Sequence, residues 1–132
     1  MIARKLKILV VDDEAPIGQV LKAGLQMHGF AVRYEARSNK TLAACLEFHP
    51  DLVLLDVDMP VMDGGLVAAE LRNHPTLCQT PVIFLTSLVT TEEAAKRQAS
   101  GETILSKQIP IAALAAALRA VLMAPAAGQI HL

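Results

Sequence analysis

Tryptophan is absent from this 132-residue chain, and aromatic residues make up only 3% of it. The two cysteines, Cys45 and Cys78, lack the close spacing of a metal site, so we expect both to be buried apolar side chains in a reducing cytosol. A net charge of −1 excludes the strongly basic surface that nucleic acids or membranes attract. We therefore expect a cytoplasmic protein without direct nucleic-acid contacts.

Long hydrophobic runs are also missing. None approaches the roughly 20 residues of a membrane-spanning helix. The first run, residues 8–11, is too short for a secretory signal and is followed directly by acidic residues. Hydrophobic residues nevertheless make up 53% of the chain and charged residues 19%, as in a globular protein with a core of its own. The length predicts one domain over residues 1–123, with residues 124–132 as a tail or the start of a linker.

Apolar runs of strand length alternate with stretches of helical periodicity. Gly29, Pro50 and Pro75 stand where helices end, and Pro110 suits a first helical turn. The pattern predicts strands at residues 7–11, 30–34, 51–55, 81–85 and 103–105, and helices at 14–28, 38–48, 64–73, 90–100 and 111–123. Five such units in alternation predict an α/β fold with a five-stranded, doubly wound parallel sheet.

Hydrophilic residues stand at the ends of four predicted strands. They are the pair Asp12 and Asp13, then Asp56, Thr86 and Lys107. Right-handed connections bring the carboxyl ends of parallel strands to one edge of a sheet, which is where open α/β sheets place their ligands. We therefore expect these residues to converge, with Asp56 at the centre.

Three carboxylates in close proximity repel one another unless a cation lies among them. Oxygen ligands without histidine or cysteine favour Mg²⁺, which also shares phosphate oxygens. Lys107 would add a positive charge and Thr86 a hydrogen bond for a phosphoryl group. The set favours Asp56 as a nucleophile that accepts phosphoryl.

At this point the chain resembles the receiver domain of two-component response regulators, such as the chemotaxis regulator. The motif LDVDMPVMDG at residues 55–64 carries the resemblance, with VVDDE at 10–14 and FLTS at 84–87 in support. The resemblance covers about residues 6–123. It implies a (βα)5 flavodoxin-like fold with strand order 2-1-3-4-5.

The resemblance also implies the roles of the acidic residues. Asp56 would be the phosphoacceptor, Asp13 a direct Mg²⁺ ligand, and Asp12 a ligand through water. The backbone carbonyl of Asp58 would complete the protein's share of the metal shell. Such a domain catalyses only its own phosphorylation and dephosphorylation and is otherwise not an enzyme.

Two further roles and the partners follow from the same resemblance. Thr86 and Lys107 would contact the phosphoryl group, and the donor would be a sensor histidine kinase or a small phosphodonor. The signal would leave through a face made of the fourth helix, the fifth strand and the last helix. An output domain or a separate downstream protein would receive it.

Three features depart from the family pattern. Gln108 replaces the proline that usually follows the lysine, where the family has a cis peptide; here the bond is either strained or trans with a shifted loop. Ile104 replaces the usual aromatic switch residue. The separation of 21 residues between Thr86 and Lys107 is one shorter than usual, which predicts a rebuilt loop after Gly101.

Two other functions remain open. A pseudo-receiver, which keeps the fold as a binding module without phosphorylation, is favoured by the departures near Lys107. A haloacid-dehalogenase-like phosphatase would use Asp56 and Asp58 as nucleophile and acid, but that family places this motif on its first strand. Taken singly, Asp12 and Asp13 are typical of a helix N-cap, Thr86 of a strand end and Lys107 of a solvated charge.

The last helix is apolar on nearly all sides, with Arg119 as its one charged residue. Part of it must pack on the sheet, and the remainder is more exposed apolar surface than a free monomer usually carries. This predicts a contact face for a second copy of the chain, in a homodimer, or for an attached domain.

Overall fold

A computed structural model describes residues 4–56, 64–87 and 103–123. The strands are β1 (Lys7–Val11), β2 (Ala31–Glu35), β3 (Leu52–Asp56), β4 (Val82–Thr86) and β5 (Thr103–Ser106). The helices are α1 (Ala15–Met27), α2 (Thr41–Phe48), which follows a short 3-10 turn (Ser38–Lys40), α3 (Gly64–Arg72) and the last helix (Ile111–Met123). The helix predicted at 90–100 lies outside the described residues.

All five strands are parallel and form one sheet in the order β2-β1-β3-β4-β5. The predicted sheet and its strand order are thereby confirmed, and β2 and β5 are the edge strands of this sheet. β3 lies in the middle of the sheet, and all five of its residues are buried. That position explains why its sequence is continuously apolar up to Asp56.

Successive residues of each strand point to opposite faces of the sheet, and two separate cores result. On β1, Ile8 and Val10 face the core that α1 and the last helix cover. Leu9 and Val11 face the other core, which α2 and α3 cover. Helices on both faces make the sheet doubly wound, so its carboxyl edge stays open between the two layers.

The turns that end α1 and α2 differ in their chemistry. Gly29 follows α1 with a positive φ of 94°, as expected for a glycine just past a helix end. His49 ends α2 in the left-handed region, at φ 54°, and its N–H still donates to the Cys45 carbonyl. Pro50 then leads the chain into β3.

The expectation for the cysteines is half right. Cys45 is fully buried on α2, where burial raises the pKa of its thiol to about 11, as for an inert apolar side chain. Cys78 is exposed. It lies in the turn between α3 and β4, where Leu77 takes the inward position instead.

Candidate functional site

The register of the sheet brings the acidic strand ends side by side. Val11 of β1 pairs with Leu55 of β3, so Asp12, which directly follows β1, lies level with Asp56, the last residue of β3. Asp56 in turn pairs with Leu85 of β4, one residue before Thr86. Since all strands run the same way, their carboxyl ends meet at one edge.

A cluster of four carboxylates lies at this edge. Asp12, Asp13, Glu14 and Asp56 each place a carboxylate oxygen within 4.8 Å of the others. Asp12 and Asp56 are each only 1% exposed, whereas Asp13 and Glu14 reach the solvent. Two buried negative charges so close together are unfavourable unless a cation compensates them.

The Lys107 ammonium supplies such a cation. Its Nζ lies 3.0 Å from Asp56 Oδ2, 3.5 Å from Asp12 Oδ2 and 3.3 Å from Glu14 Oε1, and its side chain is 6% exposed. Burial by itself lowers the pKa of Lys107, but the hydrogen bond to Asp56 and the charges of Asp12 and Asp56 outweigh it, and the pKa lies above its ordinary value. The ammonium therefore stays charged.

The turn after β5 carries Lys107 into the site. The Lys107 N–H donates to the Thr86 carbonyl at 3.0 Å, so the sheet pairing extends one residue past the strand. The Ser106 side chain then accepts from the Gln108 N–H at 3.1 Å, and the Ser106 carbonyl from the Ile109 N–H. No described peptide bond is cis, and the Lys107–Gln108 bond is trans. Gln108 thus follows a lysine that still reaches the carboxylates.

The loop after β1 is tied down at Asp12. Its Oδ1 accepts the Glu14 N–H at 2.9 Å at the start of α1, and its backbone N–H donates to the Glu35 carbonyl at 3.2 Å. The Tyr34 hydroxyl donates to the Asp12 carbonyl at 2.5 Å. Oδ2 of Asp12 is buried, makes no hydrogen bond within the described residues and faces Lys107. Asp12 thus keeps one oxygen directed into the cluster.

Thr86 ends β4, is 5% exposed and pairs with Ser106 of β5. Asp58, whose backbone carbonyl is an expected metal ligand, lies outside the described residues. Ile104 is 6% exposed and packs in the core on the α2 side of the sheet, beside Phe84. The structure therefore brings together Asp12, Asp13, Asp56 and Lys107, and it places Thr86 on the neighbouring strand end.

Two residues of this site were missed in the sequence. Glu14 directly follows the acidic pair, and its position there was the signal that it would join the cluster. Tyr34 carried a weaker signal, since it is the only tyrosine and lies near the end of a strand predicted next to the site. Burial, followed by the charges of Asp12, Asp13 and Glu35, raises the pKa of the Tyr34 hydroxyl, which keeps it a donor.

Comparison with known proteins identifies the family. The sequence model of the response regulator receiver domain matches residues 8–119. The chain belongs to this family. Regulatory protein AtoC of Escherichia coli is 36% identical over 88 residues, which are 67% of the chain and 19% of AtoC. Transcriptional regulatory protein PrrA of Mycobacterium tuberculosis is 32% identical over 117 residues, which are 88% of the chain and 49% of PrrA.

A solved receiver structure supports the same assignment. The chemotaxis protein CheY4 of Vibrio cholerae superimposes with a TM-score of 0.79 at 30% identity, over 89% of this chain and 99% of CheY4. The fold is therefore CheY-like and flavodoxin-like, and the chain is the receiver domain of a two-component response regulator. It spans about half of PrrA and a smaller share of AtoC. Among the helices that the structure describes, none is long and apolar enough to cross a bilayer.

Receiver domains are signalling modules, and they generally bind Mg²⁺ at an acidic pocket. The residues present here fit that ion. All four side-chain donors of the cluster are carboxylates, the donor type that Mg²⁺ prefers. The buried Asp12 Oδ2 also makes no hydrogen bond within the part of the chain that the structure covers, as expected for an oxygen that a cation would bind.

Proposed function

We propose that this receiver domain takes a phosphoryl group from a sensor histidine kinase onto Asp56, with Mg²⁺, and passes the signal to an output domain or a downstream protein. One observation carries the proposal. The buried Asp56 carboxylate lies 3.0 Å from the Lys107 ammonium, within a cluster of carboxylates at the open edge of the sheet. A nucleophile, a fixed cation and donors for a metal thus occupy one place.

The metal would be held by Asp13 and Asp56 directly, by Asp12 through water, and by the backbone carbonyl of Asp58. When bound, Mg²⁺ would neutralise negative charge between the carboxylates and the phosphoryl oxygens. The protein supplies the remaining charge through Lys107. Because its ammonium is already fixed between Asp56 and Asp12, it needs little rearrangement to contact a phosphoryl oxygen.

The transfer itself is a displacement at phosphorus. An Asp56 carboxylate oxygen forms the new O–P bond while the P–N bond to the kinase histidine breaks, and the histidine nitrogen keeps the electron pair. With acetyl phosphate the bond that breaks is P–O, and acetate leaves. Lys107 and the Thr86 hydroxyl would stabilise the charge on the phosphoryl oxygens. Hydrolysis of the acyl phosphate later returns Asp56, so the domain acts only on itself.

The signalling face would comprise the helix predicted at residues 90–100, β5 and the last helix. The curated relatives are named as regulators, and PrrA as a transcriptional regulatory protein, which supports an output domain as the recipient in this case as well. Residues 1–123 would form the receiver domain, and residues 124–132 would form a tail or the start of a linker. The protein would be located in the cytoplasm.

The last helix would serve as a homodimer contact. Ala112, Ala113, Ala116, Ala120 and Met123 are exposed on it. Arg119 turns back onto the domain, where its guanidinium stacks 4.5 Å from the centre of the Phe30 ring and donates to the His28 carbonyl. The exposed face therefore consists mainly of alanine, with Met123 at its end, and Arg119, which is also exposed, is held by these two contacts.

A pseudo-receiver is the second candidate. It is favoured by Ile104, which is aliphatic and already buried beside Phe84, so the aromatic movement that the family uses is not open to it. In that function the fold would bind a partner without phosphorylation of Asp56.

Acetyl phosphate with Mg²⁺, followed by intact mass measurement, separates these functions. We expect one added phosphoryl group in the wild-type chain and none in Asp56→Asn. Asp51→Asn is the matched control, since Asp51 is a carboxylate at the opposite end of the same strand and should leave the adduct intact. No adduct at any Mg²⁺ concentration would leave the pseudo-receiver, and turnover of a phosphate ester would indicate a phosphatase.

A further inference from the structure

Edge strand β2 reaches the proposed metal-binding loop, residues 12–14, through two consecutive residues. Tyr34 pairs with Val10 and Glu35 with Val11, the residues that precede Asp12. The Glu35 carbonyl accepts the Asp12 N–H at 3.2 Å, and the Tyr34 hydroxyl donates to the Asp12 carbonyl at 2.5 Å. The end of β2 therefore holds the Asp12 backbone on both sides.

The Glu35 carboxylate strengthens this end of β2. It is 8% exposed and accepts the Arg37 N–H at 2.9 Å and the Arg37 Nε–H at 3.1 Å. Burial raises the pKa of Glu35, but the hydrogen bonds and charge of Arg37 outweigh it, so that the pKa lies below its ordinary value. The end of β2, which holds the Asp12 backbone, is thus fixed by the contacts between Glu35 and Arg37 in the turn that follows.

The Tyr34 ring occupies space that a glycine leaves open. A β-carbon at Gly18 would overlap ring atom Cε1 and would lie 2.5 Å from Cζ. Gly18 lies in the first turn of α1, where its N–H donates to the Glu14 carbonyl at 3.0 Å. A glycine within a helix makes the helix less stable than an alanine would, by about 1 kcal/mol. The close contact with the Tyr34 ring explains why a glycine nevertheless occupies position 18.

We propose that Tyr34 is a positioning residue for the metal-binding loop: its ring, seated against Gly18, aims its hydroxyl at the Asp12 carbonyl and so fixes Asp12 and Asp13 for the metal. This inference rests on the Mg²⁺ site of the proposed function. Among the described residues, the hydroxyl donates its hydrogen bond to the backbone carbonyl of Asp12, so Tyr34 acts through that residue. Outer contacts of this kind orient metal ligands and thereby set the affinity of a site.

The Tyr34→Phe variant tests the hydroxyl alone, because it keeps the ring. We expect its Mg²⁺ dissociation constant, from a titration followed by amide NMR signals, to rise roughly 2- to 10-fold, the range of a hydrogen bond's net contribution. Val32→Ala is the control for stability, since it removes buried methyl groups from the same strand away from the site. It should lower the melting temperature and leave the Mg²⁺ affinity unchanged.

Gly18→Ala tests the ring contact without altering Tyr34. The new methyl group displaces the ring, so Mg²⁺ affinity should fall as in Tyr34→Phe, and adding Gly18→Ala to Tyr34→Phe should weaken it no further. Gly24→Ala is the matched control. It too adds a methyl group to α1, but against Ile111 of the last helix, with 2.5 Å to Ile111 Cγ1, and it should leave Mg²⁺ affinity unchanged.

The possible outcomes distinguish a failure of the positioning role of Tyr34 from a failure of the proposed function. If the wild-type chain binds Mg²⁺ and Tyr34→Phe binds it equally well, the positioning role is wrong and the proposed function stands. If Gly24→Ala or Val32→Ala weakens Mg²⁺ as much as Tyr34→Phe, the effect is general destabilisation and the inference is again wrong. If the wild-type chain binds no Mg²⁺, the inference and the proposed metal site fail together.

Discussion

At the scale of single residues, Lys107 is what lets two buried carboxylates coexist without a metal. Its ammonium contacts Asp56, Asp12 and Glu14, and the Lys107 side chain is 6% exposed. Removing one partner of a buried ion pair costs more than the pair contributes, because an uncompensated charge is left behind. In the metal-free protein this lysine is therefore a structural cation as well as a candidate contact for phosphoryl.

Lys107→Gln should destabilise the metal-free protein by about 3 kcal/mol, the usual cost of breaking a buried pair from one side. Chemical denaturation in the presence of a chelator measures this. Lys40→Gln, which removes an exposed lysine charge, should change the free energy of unfolding little. Saturating Mg²⁺ should recover part of the loss, because a cation again lies among the carboxylates. Equal stability of Lys107→Gln and wild type would show that the carboxylates need no such partner.

At the scale of secondary structure elements, the sequence predicted most of what positions the site. β1 and the last helix have the predicted bounds, and β3 lies one residue later than predicted, at Leu52–Asp56, with every residue buried. β2 begins one residue later than predicted. Phe30 precedes it, buried in the core, and its N–H returns to the Leu25 carbonyl at the end of α1.

What the sequence could not predict is which side chains meet across the sheet edge. Helical and strand periodicity describe one element at a time, whereas the contact of Tyr34 with Gly18 and the contact of Glu14 with Lys107 join distant parts of the chain. The trans bond before Gln108 is the ordinary form of a peptide bond that does not precede proline. The shape of the turn was open for the same reason as these contacts, since the Ser106 hydroxyl and carbonyl accept the Gln108 and Ile109 N–H groups.

The opposite end of β3 illustrates how an element is anchored. Asp51 accepts the Lys7 N–H at 2.7 Å and forms a two-point contact with the Arg4 guanidinium at 2.7 and 2.8 Å. The Arg4 hydrogen bond is the largest influence on this carboxylate, and despite partial burial the pKa of Asp51 lies below its ordinary value. These contacts fix the start of β3 against β1.

Asp51→Asn should lower the melting temperature at pH 7 by a few degrees, and the difference from wild type should vanish in acid. Because the pKa of Asp51 is lower in the folded chain than in the unfolded one, its contribution is complete above about pH 3.9 and is lost as the pH falls below that value. Melting curves between pH 7 and pH 3 measure this. Glu47→Gln, at the exposed pair of Glu47 with Arg33, should show a smaller difference. A constant difference across the pH range would contradict the assignment.

At the scale of the whole molecule, the doubly wound sheet places the hydrophobic cores and the candidate functional site in different regions. Its two faces are buried under helices and form the two cores, while its carboxyl edge gathers four carboxylates and one lysine in a chain whose net charge is only −1. Lys107 offsets one of those four charges. The excess negative charge destabilises the metal-free fold locally, and a bound divalent cation would relieve it.

Mg²⁺ should therefore raise the melting temperature of the whole chain. A ligand that binds only the folded state, at 100 times its dissociation constant, contributes about 2.7 kcal/mol, or about 10 °C for a chain of this size. Asp12→Asn and Asp56→Asn should each lose most of this shift, whereas Asp51→Asn, with its carboxylate at the other end of the sheet, should keep it. Sodium chloride at matched ionic strength controls for screening. A shift of the same size in all four proteins would mean that Mg²⁺ acts on the general charge of the surface and that the carboxyl edge of the sheet is not its site.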